Sequence, residues 1–84
     1  MAFYKNTHNR TKFVVYKFLE DDRTVVVYVY EDYSLATSHV SDDKTCKYLG
    51  KFVTTIGKIR EQKDWWLATL NKTNNRKCIC IKIL

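Results

Sequence analysis

The chain has 84 residues, is 45% hydrophobic and 14% aromatic, and carries a formal net charge of +6. That length supports one domain, residues 1–84, near the size at which a single core only just suffices, and the apolar share excludes disorder along the whole chain. No apolar run reaches the roughly 18 residues of a membrane span, MAFYKNTHNR lacks the apolar stretch of a signal peptide, and three cysteines, an odd number, make no disulfide framework; the expectation is a reduced, cytoplasmic protein (in the host cytoplasm if viral) with no membrane role and no cofactor.

The segment AFYK (2–5) reads as a short edge strand. KFVVYKF (12–18) and TVVVYVY (24–30) are rich in β-branched and aromatic residues and flank the polar LEDDR, which predicts a hairpin. The acids Glu20, Asp21, Asp22, Glu31 and Asp32 fall in the predicted turns as solubilising residues. SLATSHV (34–40) adds a short strand. Ser41, followed by Asp42 and Asp43, has the pattern of an N-cap with acids in the first helical turn. From there, at about 100° per residue, Cys46, Leu49, Phe52, Val53, Ile56 and Ile59 share one arc. Lys44, Lys47, Lys51 and Lys58 share the opposite side. The spacing predicts an amphipathic helix through Ile59. In the competing reading the helix stops at Leu49 with Gly50 as its cap, and 51–59 is a strand. WWLATL (65–70) and KCICIKIL (77–84) flank NKTNNR and read as a second hairpin. The expected fold is therefore α+β: a small antiparallel sheet of four to five strands with one amphipathic helix packed on one face, ββ-α-ββ.

Strand alternation puts Val25, Val27 and Val29 on one face, and Ile79, Ile81 and Ile83 with them. One helix covers one sheet face, so the other, bearing Tyr28, Tyr30, Val26 and in neighbouring strands Tyr16 and Phe18, is expected to be open. A two-fold homodimer is the simplest cover for it.

Charge is uneven along the chain. Ten of the 15 Lys and Arg residues lie in 44–84, where the only acids are Glu61 and Asp64. Such asymmetry points to a polyanion-facing surface, because phosphates are met by long cationic side chains at no fixed spacing. The candidate nucleic-acid contacts are Lys44, Lys47, Lys51, Lys58, Arg60, Lys63, Lys72, Arg76 and Lys77. Tyr16, Tyr28 and Tyr30 resemble base-stacking aromatics, and Trp66 is a candidate for stacking or for anchoring an interface. The glycine and phenylalanine consensus of RNA-recognition motifs is absent.

Chemistry-bearing motifs are missing. Cys46, Cys78 and Cys80 lack the paired C-x2-C spacing of structural zinc, so no metal is expected. Nothing in the sequence brings His8 and His39 together as an acid–base pair. There is no phosphate-cradling glycine loop and no nucleophile elbow, so no catalytic residue is assigned and a non-enzyme is expected.

FYKNTHNRTK and LNKTNNRK belong to a short lysine-, tyrosine- and asparagine-bearing chain without proline. In this style it resembles the small early proteins of virulent phages of the T-even type, which disable host machinery or host defences. The resemblance implies an accessory, non-enzymatic binding role. The expected function is a small basic nucleic-acid-binding module, RNA ahead of DNA, acting through phosphate contacts as an inhibitor of a host defence or host process. The alternative is a protein-binding inhibitor that docks its basic surface or its apolar sheet face on a host protein.

Overall fold

In a computed structural model, described over residues 9–70 and 76–84, the two runs of β-branched residues pair as expected. Strand β1 (Arg10–Phe18) and strand β2 (Thr24–Tyr30) form an antiparallel hairpin, Val14 opposite Val29 and Phe18 opposite Val25. Its turn is built by Asp21, whose carboxylate accepts hydrogen bonds from the N–H groups of Arg23 and Thr24 and from the Thr24 hydroxyl. Asp22 takes the left-handed conformation, φ 60°, that Asp tolerates in turns. These acids shape the turn as well as solubilise it.

Helix α1 (Tyr33–Asp42) replaces the short strand expected at 34–40. Asp32 is its N-cap and accepts from the N–H and the hydroxyl of Ser34. Ala36 and Val40, one turn apart, face the sheet. Ser41, Asp42 and Asp43 therefore end a helix rather than begin one, with Asp43 at the C-cap donating its N–H to the carbonyl of His39 at 3.0 Å.

The long helix expected to run through Ile59 does not form. Lys47–Thr54 is strand β3, antiparallel to β1, and Thr55 caps a short helix α2 (Ile56–Glu61) by accepting from the N–H of Lys58. The competing reading named a strand after Gly50 but began it four residues late and ran it into α2. Helix α3 (Lys63–Leu70) follows where a strand was expected, burying Trp66 and Leu70 at a spacing of one helical turn. Strand β4 (Cys78–Ile83) then pairs with β2 in parallel, Val27 beside Ile81.

The fold is α+β, with a four-stranded mixed sheet in the order β3-β1-β2-β4 and three helices among the described residues. The all-antiparallel ββ-α-ββ arrangement fails for a topological reason. A tight turn joins only antiparallel neighbours, whereas a parallel pair needs a crossover, and α2 with α3 supplies one. The strand expected at AFYK lies outside the described residues, as do positions 71–75 of the second expected turn.

Alternation on β1 sorts the core into two. Val14 joins Val25, Val27, Val29, Ile59, Trp66 and Leu70, with Ile79, Ile81 and Ile83 packed against them, so α2 and α3 cover this face. Val15 joins Ala36 and Cys46, with Phe13, Tyr28 and Tyr30 around them, so α1 covers part of the other. The face expected to be open is thus largely occupied where Tyr28 and Tyr30 stand. Among the described residues no helix is long and apolar enough to cross a membrane.

Candidate nucleic-acid interface

Helix α1 packs on β1, β2 and β3 of this sheet face, and its N-terminal end meets the β1–β3 pair. There Tyr33, the first residue of α1, and Tyr48, on β3, stand 55% and 39% exposed. Their rings meet edge to face at a centroid distance of 5.9 Å, and Tyr33 meets Phe13 the same way at 5.4 Å. Offset and edge-on contacts of this kind hold aromatic rings in fixed orientations. Phe13, Tyr33, Tyr48, Gly50 and Lys51 line an open depression of about 630 Å3. A second depression of about 400 Å3 is lined by Asn9, Arg10, Thr11, Glu31 and Val53. Phe13 pairs with Lys51 and Thr11 with Val53, so these four residues lie in order along the β1–β3 ladder.

The result is a shallow aromatic track bordered by Lys51, with Arg10 at the second depression. Its acids are engaged. Glu31 receives the Lys12 ammonium at 2.8 Å, and Asp32 caps α1, its carboxyl held below the usual carboxylate range by the Ser34 hydroxyl and N–H. A surface of this composition can stack flat π systems and meet phosphate oxygens, and it requires no particular base sequence to do so.

The cations singled out in the sequence do not form one stripe, because the helix that would have aligned them is a strand, a turn and a second helix. Lys44 is exposed in the turn after α1, and Lys47 and Lys51 are exposed on β3. Lys58, Arg60 and Lys63 are exposed on α2 and α3, in the layer on the opposite sheet face. Lys77 is exposed just before β4, and Lys72 lies outside the described residues. Arg76 has a structural place. Its side chain is only 9% exposed, donates to the carbonyl of Leu19 at 2.7 Å, lies over the Phe18 ring at 5.0 Å and approaches Asp21 at 3.8 Å.

The predicted stacking residues are also employed elsewhere. Tyr16 packs at the edge of the larger core, against Phe18. Trp66 is 2% exposed and central to that core. Tyr28 and Tyr30 both face the His39 ring of α1, with centroids 4.4 and 5.8 Å away, and the Lys82 ammonium lies 5.9 Å from the Tyr28 ring. Tyr33, Tyr48 and Phe13 are the aromatics the sequence reading missed. The available signal was Asp32 as an N-cap, which makes Tyr33 the first residue of a helix.

Around His39 the polar groups converge. The Tyr30 hydroxyl and Nδ1 of His39 share a hydrogen bond of 2.7 Å, and Nε2 lies 3.4 Å from Sγ of Cys46. Asp43 accepts from the hydroxyl and N–H of Thr45 and from the Lys17 ammonium at 3.1 Å. The Thr45 hydroxyl contributes most to holding the Asp43 carboxyl far below its ordinary range, and the same carboxylate raises the affinity of Lys17 for its proton. Burial pushes up the Cys46 thiol and the Tyr30 phenol. A buried thiol raised in this way is the opposite of the depressed, accessible one that an activated nucleophile uses. Comparison with protein-family models, curated proteins and solved structures finds no match.

Proposed function

We propose that the protein is a nucleic-acid-binding module that holds single-stranded nucleic acid, RNA ahead of DNA, on the track beside α1. The observation that carries this reading is the pair of exposed, mutually braced rings of Tyr33 and Tyr48 opening on a depression that Lys51 borders. Bases stack on the tyrosines, and Lys51, on the same sheet face, meets phosphates. The uneven charge of the sequence supports the phosphate half of the reading, and the position of the rings supports the base half.

Single strands are favoured over duplexes because stacking on a tyrosine face needs an unpaired base. Binding of a fluorescent uridine-rich 12-mer RNA, its DNA counterpart and a duplex, measured by anisotropy, tests this. Affinity is expected to fall steeply between low and physiological salt. Tyr33→Ala and Tyr48→Ala should each weaken single-strand binding by about 1–3 kcal/mol, the usual worth of one stacked base. Lys51→Gln should lower the salt slope by about one phosphate contact. No binding at low salt would end the reading. Salt-insensitive binding to a protein partner, unchanged by nuclease, would favour the docking alternative.

A further inference from the structure

The geometry points to a second site in which His39, Asp43 and Cys46 hold a divalent transition-metal ion of the zinc class at the C-terminal end of α1. This inference is independent of nucleic-acid binding. Donor atoms of the three side chains all lie within 4.8 Å of one another. The His39 Nε2 to Cys46 Sγ separation is 3.4 Å. Bond lengths of about 2.0–2.1 Å to nitrogen and about 2.3 Å to sulfur at tetrahedral angles require a separation of about 3.5–3.6 Å, so these two ligands already stand at coordination distance.

Local backbone structure explains the convergence. His39 lies in the last turn of α1 and Asp43 is its C-cap four residues on, which leaves their side chains close together. Beyond the cap the chain reverses, the Cys46 N–H donating to the Asp43 carbonyl at 2.9 Å, and this returns the buried Cys46 thiol beneath His39. H-x3-D-x2-C is thus a compact ligand set on one helix end and the turn that follows it. The C-terminal end of a helix also carries partial negative charge, which suits a cation.

The ring is oriented before any metal arrives. Metal-binding histidines ordinarily anchor the second ring nitrogen on an oxygen, which fixes the tautomer and directs the free lone pair at the metal. Here Tyr30, on β2, takes that part at 2.7 Å from Nδ1. In the tautomer whose Nδ1–H donates to the tyrosine oxygen, Nε2 is unprotonated and faces Sγ. Binding displaces the thiol proton to solvent, giving a thiolate–imidazole–carboxylate set, and leaves a fourth position for water. Lys17 opposes the ion because its ammonium lies 3.1 Å from the Asp43 carboxylate. The mixed sulfur, nitrogen and oxygen donors favour zinc or cobalt over magnesium or calcium.

Titration of the reduced full chain with cobalt(II) reads the site directly. A thiolate-to-cobalt charge-transfer band is expected to saturate at one equivalent, to be displaced by zinc, and to persist in the Cys78→Ser/Cys80→Ser double variant. Tyr30→Phe should weaken cobalt binding about 10–100-fold, as loss of a ligand's anchoring partner does. Cys46→Ala should abolish the band, and Asp43→Asn, at a less buried position, should weaken binding at least tenfold even if the cysteine variant fails to fold. No band in the parent chain, or a band lost with Cys78 and Cys80, would overturn the assignment.

Discussion

Lys12 lies inside β1 and is 1% exposed, yet it is a lysine among valines. Alternation places it on the Val14 side of the sheet, where its methylene stem packs while its ammonium meets Glu31 at 2.8 Å. Glu31 is 49% exposed, so the pair is buried at one end and wet at the other. The two partners are therefore not equivalent. Glu31→Ala strands a desolvated cation and should destabilise the fold by about 1–3 kcal/mol. Lys12→Met removes the charge and keeps the stem, and replacing a buried charge by an apolar group of similar shape is near neutral or stabilising. Urea unfolding of the two variants measures the difference. Equal losses would mean that the ion pair itself, rather than the stranded charge, carries the effect.

Two of the connections between elements depend on ionised carboxylates. Asp21 holds the β1–β2 turn, and accepting from Arg23 and Thr24 lowers its carboxyl from 3.8 to about 2. Asp43 ties the end of α1 to Lys17 of β1 and is depressed further still. A carboxyl whose folded value lies below its unfolded one contributes stability that is complete above the unfolded value and disappears as pH falls through the folded one. The melting temperature should therefore decline from about pH 4 downward, and Asp21→Asn and Asp43→Asn should each flatten that decline. Thermal melts across this range check it. These elements also show which parts of the fold were legible. The β1–β2 hairpin was read correctly because its alternation is uninterrupted. The segment from Lys44 to Arg60 was misread because β3 contains a bulge: Val14 pairs with Gly50 and Val15 with Tyr48, leaving Leu49 as an extra residue. Leu49 and Phe52 then both pack on the larger core three residues apart, and Ile56 and Ile59 of α2 continue at spacings of four and three. A bulged strand joined to a short helix thus reproduces helical periodicity. Gly50, read as a helix cap, takes φ +156° within that bulge, a region that favours glycine. WWLATL was misread for the opposite reason: the β-preference of its tryptophans outweighed the spacing of Trp66 and Leu70.

At the scale of the molecule, the excess of cations was legible and their arrangement was not, since the strand, turn and helix that carry them point to both layers. The aromatic track required knowing that 33–42 is a helix whose first residue meets Tyr48 of β3, and the meeting of His39, Asp43 and Cys46 required the same. The parallel pairing of β4 with β2 has a consequence for time rather than for structure. The β1–β2 hairpin closes over a few residues, an event of about 1–10 µs. Thr24 finds Cys78 only across the whole of α1, β3, α2 and α3, and such distant closure is entropically late. Until then β2 is an outer strand with one side unpaired. Contacts of Ile81 with Val27 should accordingly be absent from the folding transition state, so Ile81→Val should speed unfolding and leave refolding nearly unchanged. Val14→Ala, where the hairpin meets the core, should slow refolding as well. Stopped-flow chevrons of the two variants measure it, and an Ile81 variant that slows refolding would place β4 in the nucleus instead. The order of assembly that this implies leaves the hairpin waiting, edge exposed, for the last strand to arrive.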